Sequence, residues 1–185
     1  RGDRPRARRR DLWIRSARVS ETKGGARRAN VVGLGLIGGS VALALRHRGW
    51  HVSGEDSQPG VCERALALDA IDAVGLDPHA EITFIATPVG AIASEVERAL
   101  ESTTGLVTDV GSVKADLCAR IHSPRFLGGH PMAGSELDGI DGADPEMFEG
   151  AVWVLTPDAD VPDDTFATLA SIIAGLGAEV VALPP

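Results

Sequence analysis

Gly33-Leu34-Gly35-Leu36-Ile37-Gly38 sets three glycines at G-x-G-x-x-G spacing, which can press bare backbone amides against an anion. The run follows residues 29–33, an apolar stretch that reads as a buried strand. It precedes residues 36–48, where Ile37, Val41, Ala44 and Leu45 share one helical face. In that setting Gly33 permits a tight turn and Gly35 lets a pyrophosphate approach the main chain. Gly38 lets the helix pack closely on the strand. The amides of Leu36 and Ile37 point at the anion, and the helix N-terminus adds positive potential. The competing reading is a glycine-rich turn without a ligand; the strand and helix on either side favour the phosphate loop.

A dinucleotide site also needs an acid at the end of the second strand. Asp56 lies 18 residues after Gly38, with Glu55 before it. A carboxylate there accepts ribose hydroxyls and repels a 2′-phosphate. No Arg or Lys follows until Arg64, so NAD is expected as cofactor and NADP less so. The alternative is a solvated acid at a strand end. Thr87-Pro88 closes a later strand and would border the same crevice, unless it is plain turn chemistry.

The elements that must carry these residues are legible from periodicity. Strands are expected at residues 50–54, 72–75, 81–86, 105–110, 125–128, 151–156 and 178–183. Helices are expected at residues 59–68, 91–101, 113–121 and 163–176. Alternation of this kind predicts an α/β fold with a Rossmann-like, doubly wound, mostly parallel sheet. Residues 129–150 are rich in Gly and Asp and show no regular pattern. A structureless loop of that length in a small domain is usually functional.

Charge divides the chain. Residues 1–28 hold eleven Lys/Arg and three acids, a net of +8; the other seven Lys/Arg and 23 acids give residues 29–185 a net of −16. The first segment is expected to be a disordered basic tail, because it has too few apolar residues to offset its ordering entropy. Residues 29–185 are expected to form one nucleotide-binding domain. No apolar run is long enough for a membrane helix, and Trp13 is the tail's sole aromatic, so neither membrane nor nucleic acid is expected as a partner. Cys62 and Cys118 match no metal or redox spacing, and no metal site is expected. Unpaired cysteines suit a reducing, cytoplasmic setting.

Two further segments fall at strand ends on the edge that holds the glycine loop. One is Thr108-Asp109-Val110-Gly111-Ser112-Val113-Lys114. The other is Gly128-Gly129-His130-Pro131-Met132-Ala133-Gly134-Ser135-Glu136. With ATPV at residues 86–89 and FEGAVWVLTP at residues 148–157, their order and spacing resemble the prephenate/arogenate dehydrogenase family of tyrosine biosynthesis. The resemblance runs from residue 29 to about residue 183, and GGHPMAGSE is its most specific part.

The resemblance implies a substrate that is a cyclohexadienol bearing a ring carboxylate. Hydride leaves for the nicotinamide, the carboxylate leaves as CO₂, and the ring becomes aromatic. It implies that His130 takes or strongly hydrogen-bonds the ring hydroxyl proton, which suits an imidazole near neutral pH. Ser112 would hydrogen-bond the same hydroxyl, or else cap the next helix. Ser135 and Glu136 would line the substrate side. Lys114 reads as a solvated first-turn residue, and His47, His51, His79 and His122 receive no role. The family carries a second, helical domain that builds its homodimer interface, and this chain is expected to lack it. The chain alone is then expected to bind NAD with little or no turnover. The alternatives are a non-catalytic NAD-binding module and another small-substrate Rossmann dehydrogenase.

Overall fold

The computed structural model describes residues 26–158 and 160–184. Most of the expected basic tail, residues 1–25, lies outside them. Strands β1 (Arg28–Val32), β2 (His51–Glu55), β3 (Ala73–Val74), β4 (Ile82–Ile85) and β5 (Leu106–Asp109) form a parallel sheet in the order β3-β2-β1-β4-β5. The chain winds outward from β1 to β3, then returns to β1's other side as β4. That reversal opens a crevice at the carboxyl ends of β1 and β4, where ligands bind in open α/β sheets.

Burial on both faces follows from strand alternation. Val31 and Phe84 face one core cluster; their neighbours Val32 and Ile85 face the other. Helix α1 (Leu36–Arg46) supplies Val41, Ala42 and Leu45 to the first cluster. Helix α3 (Val89–Ser102) supplies Ile92, Val96 and Ala99 to the second, joined by Leu117 of α4 (Ala115–Arg120). Helix α2 (Val61–Ala67) is short and mostly exposed.

The second half departs from expectation. The sixth strand was expected at residues 125–128 within one sheet. Among the described residues a single bridge, Phe126 with Val107, continues the parallel sheet there. Strand β6 is Gly128–Pro131, which starts at the last residue of the expected strand and runs into the segment that reads as a loop. It pairs antiparallel with β7 (Val152–Thr156), and β7 pairs parallel with β8 (Glu179–Ala182). Helix α5 (Asp163–Gly175) packs Leu169, Ile172 and Ile173 into the first cluster. Trp153 of β7 is fully buried and stands edge-on to Phe84, with ring centroids 6.2 Å apart. This contact joins the small sheet to the large one.

Strand β1 also begins ahead of the expected domain start. Arg28 is its first residue, and Arg27 lies over the Trp50 ring at 4.0 Å while pairing with Glu81. Both arginines gain partners from elements far along the chain.

Arg28 also pairs with Asp77, a largely buried carboxylate that accepts the His79 N–H at 2.9 Å. Burial alone pushes this carboxyl up, but the His79 amide and the Arg28 guanidinium outweigh it and hold it below the usual 3.8. The folded state therefore binds this proton less readily than the unfolded one. The stability gained is present above the ordinary carboxylate range and is lost as pH falls through the lowered folded value. Asp77→Asn is expected to cost about 1–3 kcal/mol at neutral pH. It should also flatten the loss of stability in acid. Denaturant titrations followed by circular dichroism across the acid range check this; an unaltered acid slope rules the assignment out.

Candidate nucleotide site and catalytic edge

Gly33 follows β1 with φ +89°, a conformation that L side chains rarely adopt. A Cβ there would also stand 2.6 Å from the Ala86 carbonyl oxygen. A Cβ on Gly38 would collide with the Gly33 carbonyl oxygen and lie 2.9 Å from the Ala86 Cβ. Both glycines are thus required by packing. Gly35 differs: a Cβ on it meets no protein atom within 4 Å. The ground above the middle glycine is open. It lies at the start of an eleven-residue helix whose first amides have no intrahelical partners.

Asp56 follows β2 and folds back onto this loop. Its Oδ2 accepts the Leu34 N–H at 2.7 Å and its Oδ1 accepts the Gln58 N–H at 2.8 Å. A carboxylate offers about four acceptor sites, so Asp56 is oriented by the chain and retains capacity for hydroxyl donors. Glu55 is engaged elsewhere, by Arg98 of α3. Thr87 follows β4, and its backbone N would lie 2.9 Å from a Gly33 Cβ. Among the described residues the buried Thr87 Oγ1 has no hydrogen-bond partner. Gly33, Leu34, Asp56 and Thr87 therefore meet around the carboxyl ends of β1, β2 and β4.

The edge continues through β5. The Val110 N–H donates to the Ile85 carbonyl at 3.1 Å, tying the end of β5 to the end of β4. The half-buried His130 ring places Nδ1 3.4 Å from the Val110 carbonyl oxygen. A carbonyl only accepts, so this contact is a hydrogen bond in the Nδ1–H tautomer, the one that in a neutral ring leaves the Nε2 lone pair open. His130 can approach because Gly129 precedes it. A Cβ at position 129 would lie 2.8 Å from the Asp109 carbonyl oxygen and 2.9 Å from the Trp153 Nε1.

Ser112 is exposed just past Val110. It does not cap α4, whose N-cap is Lys114 without a side-chain bond. Ser135 and Glu136 are exposed on the segment after β6, and the Ser135 Oγ accepts the Leu137 N–H at 3.1 Å. That segment then returns to the glycine helix. The Ser40 Oγ donates to the Leu36 carbonyl at 2.7 Å and accepts the Asp144 N–H at 2.9 Å. Arg64 of α2 pairs with Asp141.

Lys114 corrects the sequence reading. It is buried, not solvated, and its ammonium pairs with the fully buried carboxylate of Asp109. Burial pushes the Lys114 pKa down and the Asp109 pKa up, while each charge draws the other back. Sequence reasoning quoted Asp109 within a motif but gave it no task. The available signal was an acid at a strand end, five residues before a lysine, and that spacing fits no local pairing rule.

Sequence comparisons with known proteins converge on one family. The sequence model described as prephenate dehydrogenase, nucleotide-binding domain, matches residues 41–182. A prephenate dehydrogenase of Bacillus subtilis is 35% identical over 170 residues, covering 84% of this chain and 46% of the relative. The crystal structure of Synechocystis arogenate dehydrogenase superposes with a TM-score of 0.79 at 36% identity, covering 85% of this chain and 60% of that one. A prephenate dehydrogenase from Aquifex aeolicus, in complex with hydroxyphenyl propionate and NAD+, superposes with a TM-score of 0.81 at 26% identity. It covers 89% of this chain and 62% of the other. The chain spans about half the length of the curated relative from B. subtilis. Its glycine loop, parallel sheet order and matched sequence agree: the chain belongs to the prephenate dehydrogenase family, of which it carries the nucleotide-binding domain.

Proposed function

We propose that this chain is the NAD-binding half of an enzyme that oxidatively decarboxylates prephenate to 4-hydroxyphenylpyruvate, or arogenate to tyrosine. The observation that carries the reading is the His130 Nδ1 contact with the Val110 carbonyl. It leaves Nε2 as a proton acceptor on the edge that holds the glycine loop.

The residues present fit a dinucleotide. Open space over Gly35, the N-terminus of α1 and the unpartnered Thr87 Oγ1 suit a pyrophosphate and the groups beside it. Leu36 and Ile37 would offer amides, and Asp56 would accept the ribose hydroxyls, with Pro88 shaping the wall beside Thr87. When bound, the nicotinamide supplies the two-electron acceptor. His130 takes the ring hydroxyl proton on Nε2, which raises electron density at the carbon that loses hydride. Ser112 hydrogen-bonds the same hydroxyl and holds it toward the imidazole. Ser135 and Glu136 border the substrate. Aromatisation after loss of CO₂ drives the step, so the protein's task is positioning and proton removal.

The same reading makes the setting cytoplasmic, supported by the free thiols of Cys62 and Cys118. Among the described residues no helix is long and apolar enough to cross a membrane. Assayed by itself, the chain is expected to bind NAD+ and turn over slowly, since it spans about half the length of the curated relative and this reading assigns the homodimer interface and further substrate contacts to the remainder.

Calorimetric titration tests the cofactor assignment. NAD+ is expected to bind more tightly than NADP+, and Asp56→Asn to weaken NAD+ by about 10–100-fold, the equivalent of losing charge-assisted hydrogen bonds. The variant should also narrow the gap to NADP+. Absence of NAD+ binding by the parent chain would sink the proposal.

A further inference from the structure

Asp109 is fully buried at the end of β5, and the proton transfer described above does not use it. A buried carboxylate persists only where donors fill its lone pairs. Here the Oδ2 accepts the Gly111 N–H at 2.9 Å and pairs with the Lys114 ammonium, and the Oδ1 accepts the Gly129 N–H at 3.2 Å. These donors belong to two separate pieces of chain. Gly111 and Lys114 lie on the loop that carries Ser112, and Gly129 lies on β6 beside His130.

We infer that Asp109 is a positioning residue that orients the His130 imidazole by clamping β6 to the loop after β5, with Lys114 as its counter-charge. The His130–Val110 contact has two ends. The Val110 carbonyl shares its peptide unit with the Gly111 N–H that the Asp109 Oδ2 accepts at 2.9 Å. His130 is the next residue after Gly129, whose N–H the carboxylate holds. One side chain therefore sets both ends of the contact that puts hydrogen on Nδ1 and leaves Nε2 free. The Lys114 ammonium is occupied by Asp109, so its charge serves the clamp.

The inference rests on the reading of His130 as proton acceptor, and the two fail differently. Loss of activity in His130→Asn tests the acceptor; nuclear magnetic resonance of the ring tests the clamp. The full chain is labelled with ¹⁵N-histidine, and the His130 signals are assigned by their loss in His130→Asn. In the parent, above the imidazole titration, His130 is expected as the fixed Nδ1–H tautomer. In Asp109→Asn its two ¹⁵N shifts should move toward the averaged values of a free imidazole, with the amide spectrum still that of a folded chain. The double variant Asp109→Asn/Lys114→Met removes both charges and should show the same averaging if the single variant does not fold. A lower melting temperature with unchanged His130 shifts makes Asp109 merely structural and overturns the inference. So does an Nε2–H tautomer in the parent, or failure of both variants to fold.

Discussion

His130→Asn is expected to lower kcat by roughly 10²–10⁴-fold, the range for loss of a positioned general base. NAD+ affinity should stay within about twofold. An asparagine fits the strand but cannot take up a proton near neutral pH. The ring is half-buried on β6, which is paired with β7 from Gly128 to Pro131, so the substitution should leave the strand in place. Steady-state assay with prephenate and with arogenate, on this domain within a full-length family protein, reads the rate. Calorimetry reads the cofactor. If both fall together, His130 holds the dinucleotide and does not serve as the base.

Gly38→Ala and Gly35→Ala should separate folding from binding within one loop. A Cβ at position 38 would strike the Gly33 carbonyl and crowd Ala86. The Gly33 carbonyl and the Ala86 Cβ are both held by the main chain, so neither can yield without moving the backbone just past β1 or β4. Overpacking of this kind costs roughly 1–3 kcal/mol or more, so Gly38→Ala should melt markedly lower and lose cofactor affinity as a consequence. At position 35 a Cβ meets no protein atom within 4 Å, and φ is an ordinary −73°. Stability should change by less than about 1 kcal/mol, the sum of small cap and chain-entropy effects. NAD+ affinity should nevertheless fall by about tenfold or more, since the methyl occupies the ground a pyrophosphate needs. Scanning calorimetry paired with NAD+ titration distinguishes the two. A Gly35→Ala chain that binds like the parent means that no pyrophosphate sits over that glycine.

The large sheet and its glycine loop were legible because their signals are local. Residues 29–33 and 81–86 are apolar runs of strand length, and helix periodicity over residues 36–48 needs no knowledge of partners. The boundaries shifted where side chains alone decide an end: α1 stops at Arg46, and Gly49 turns the chain with φ +80°. The helix expected from residue 113 begins at Ala115, because Val113 is exposed and Lys114 turns inward to Asp109.

What the sequence determined by itself was the order of elements, the G-x-G-x-x-G loop opening α1, and the positions of Asp56, Thr87 and Ser112 past strand ends. Those follow from spacing along one chain. Tertiary structure alone decided that Gly128–Pro131 is a strand, since two glycines and a proline have little strand propensity and gain it only against β7 and the end of β5. It also decided the fate of Lys114 and Asp109. Whether a lysine is solvated or buried depends on the charge that folding brings to meet it, and Gly129, twenty residues from Asp109, is what completes that meeting.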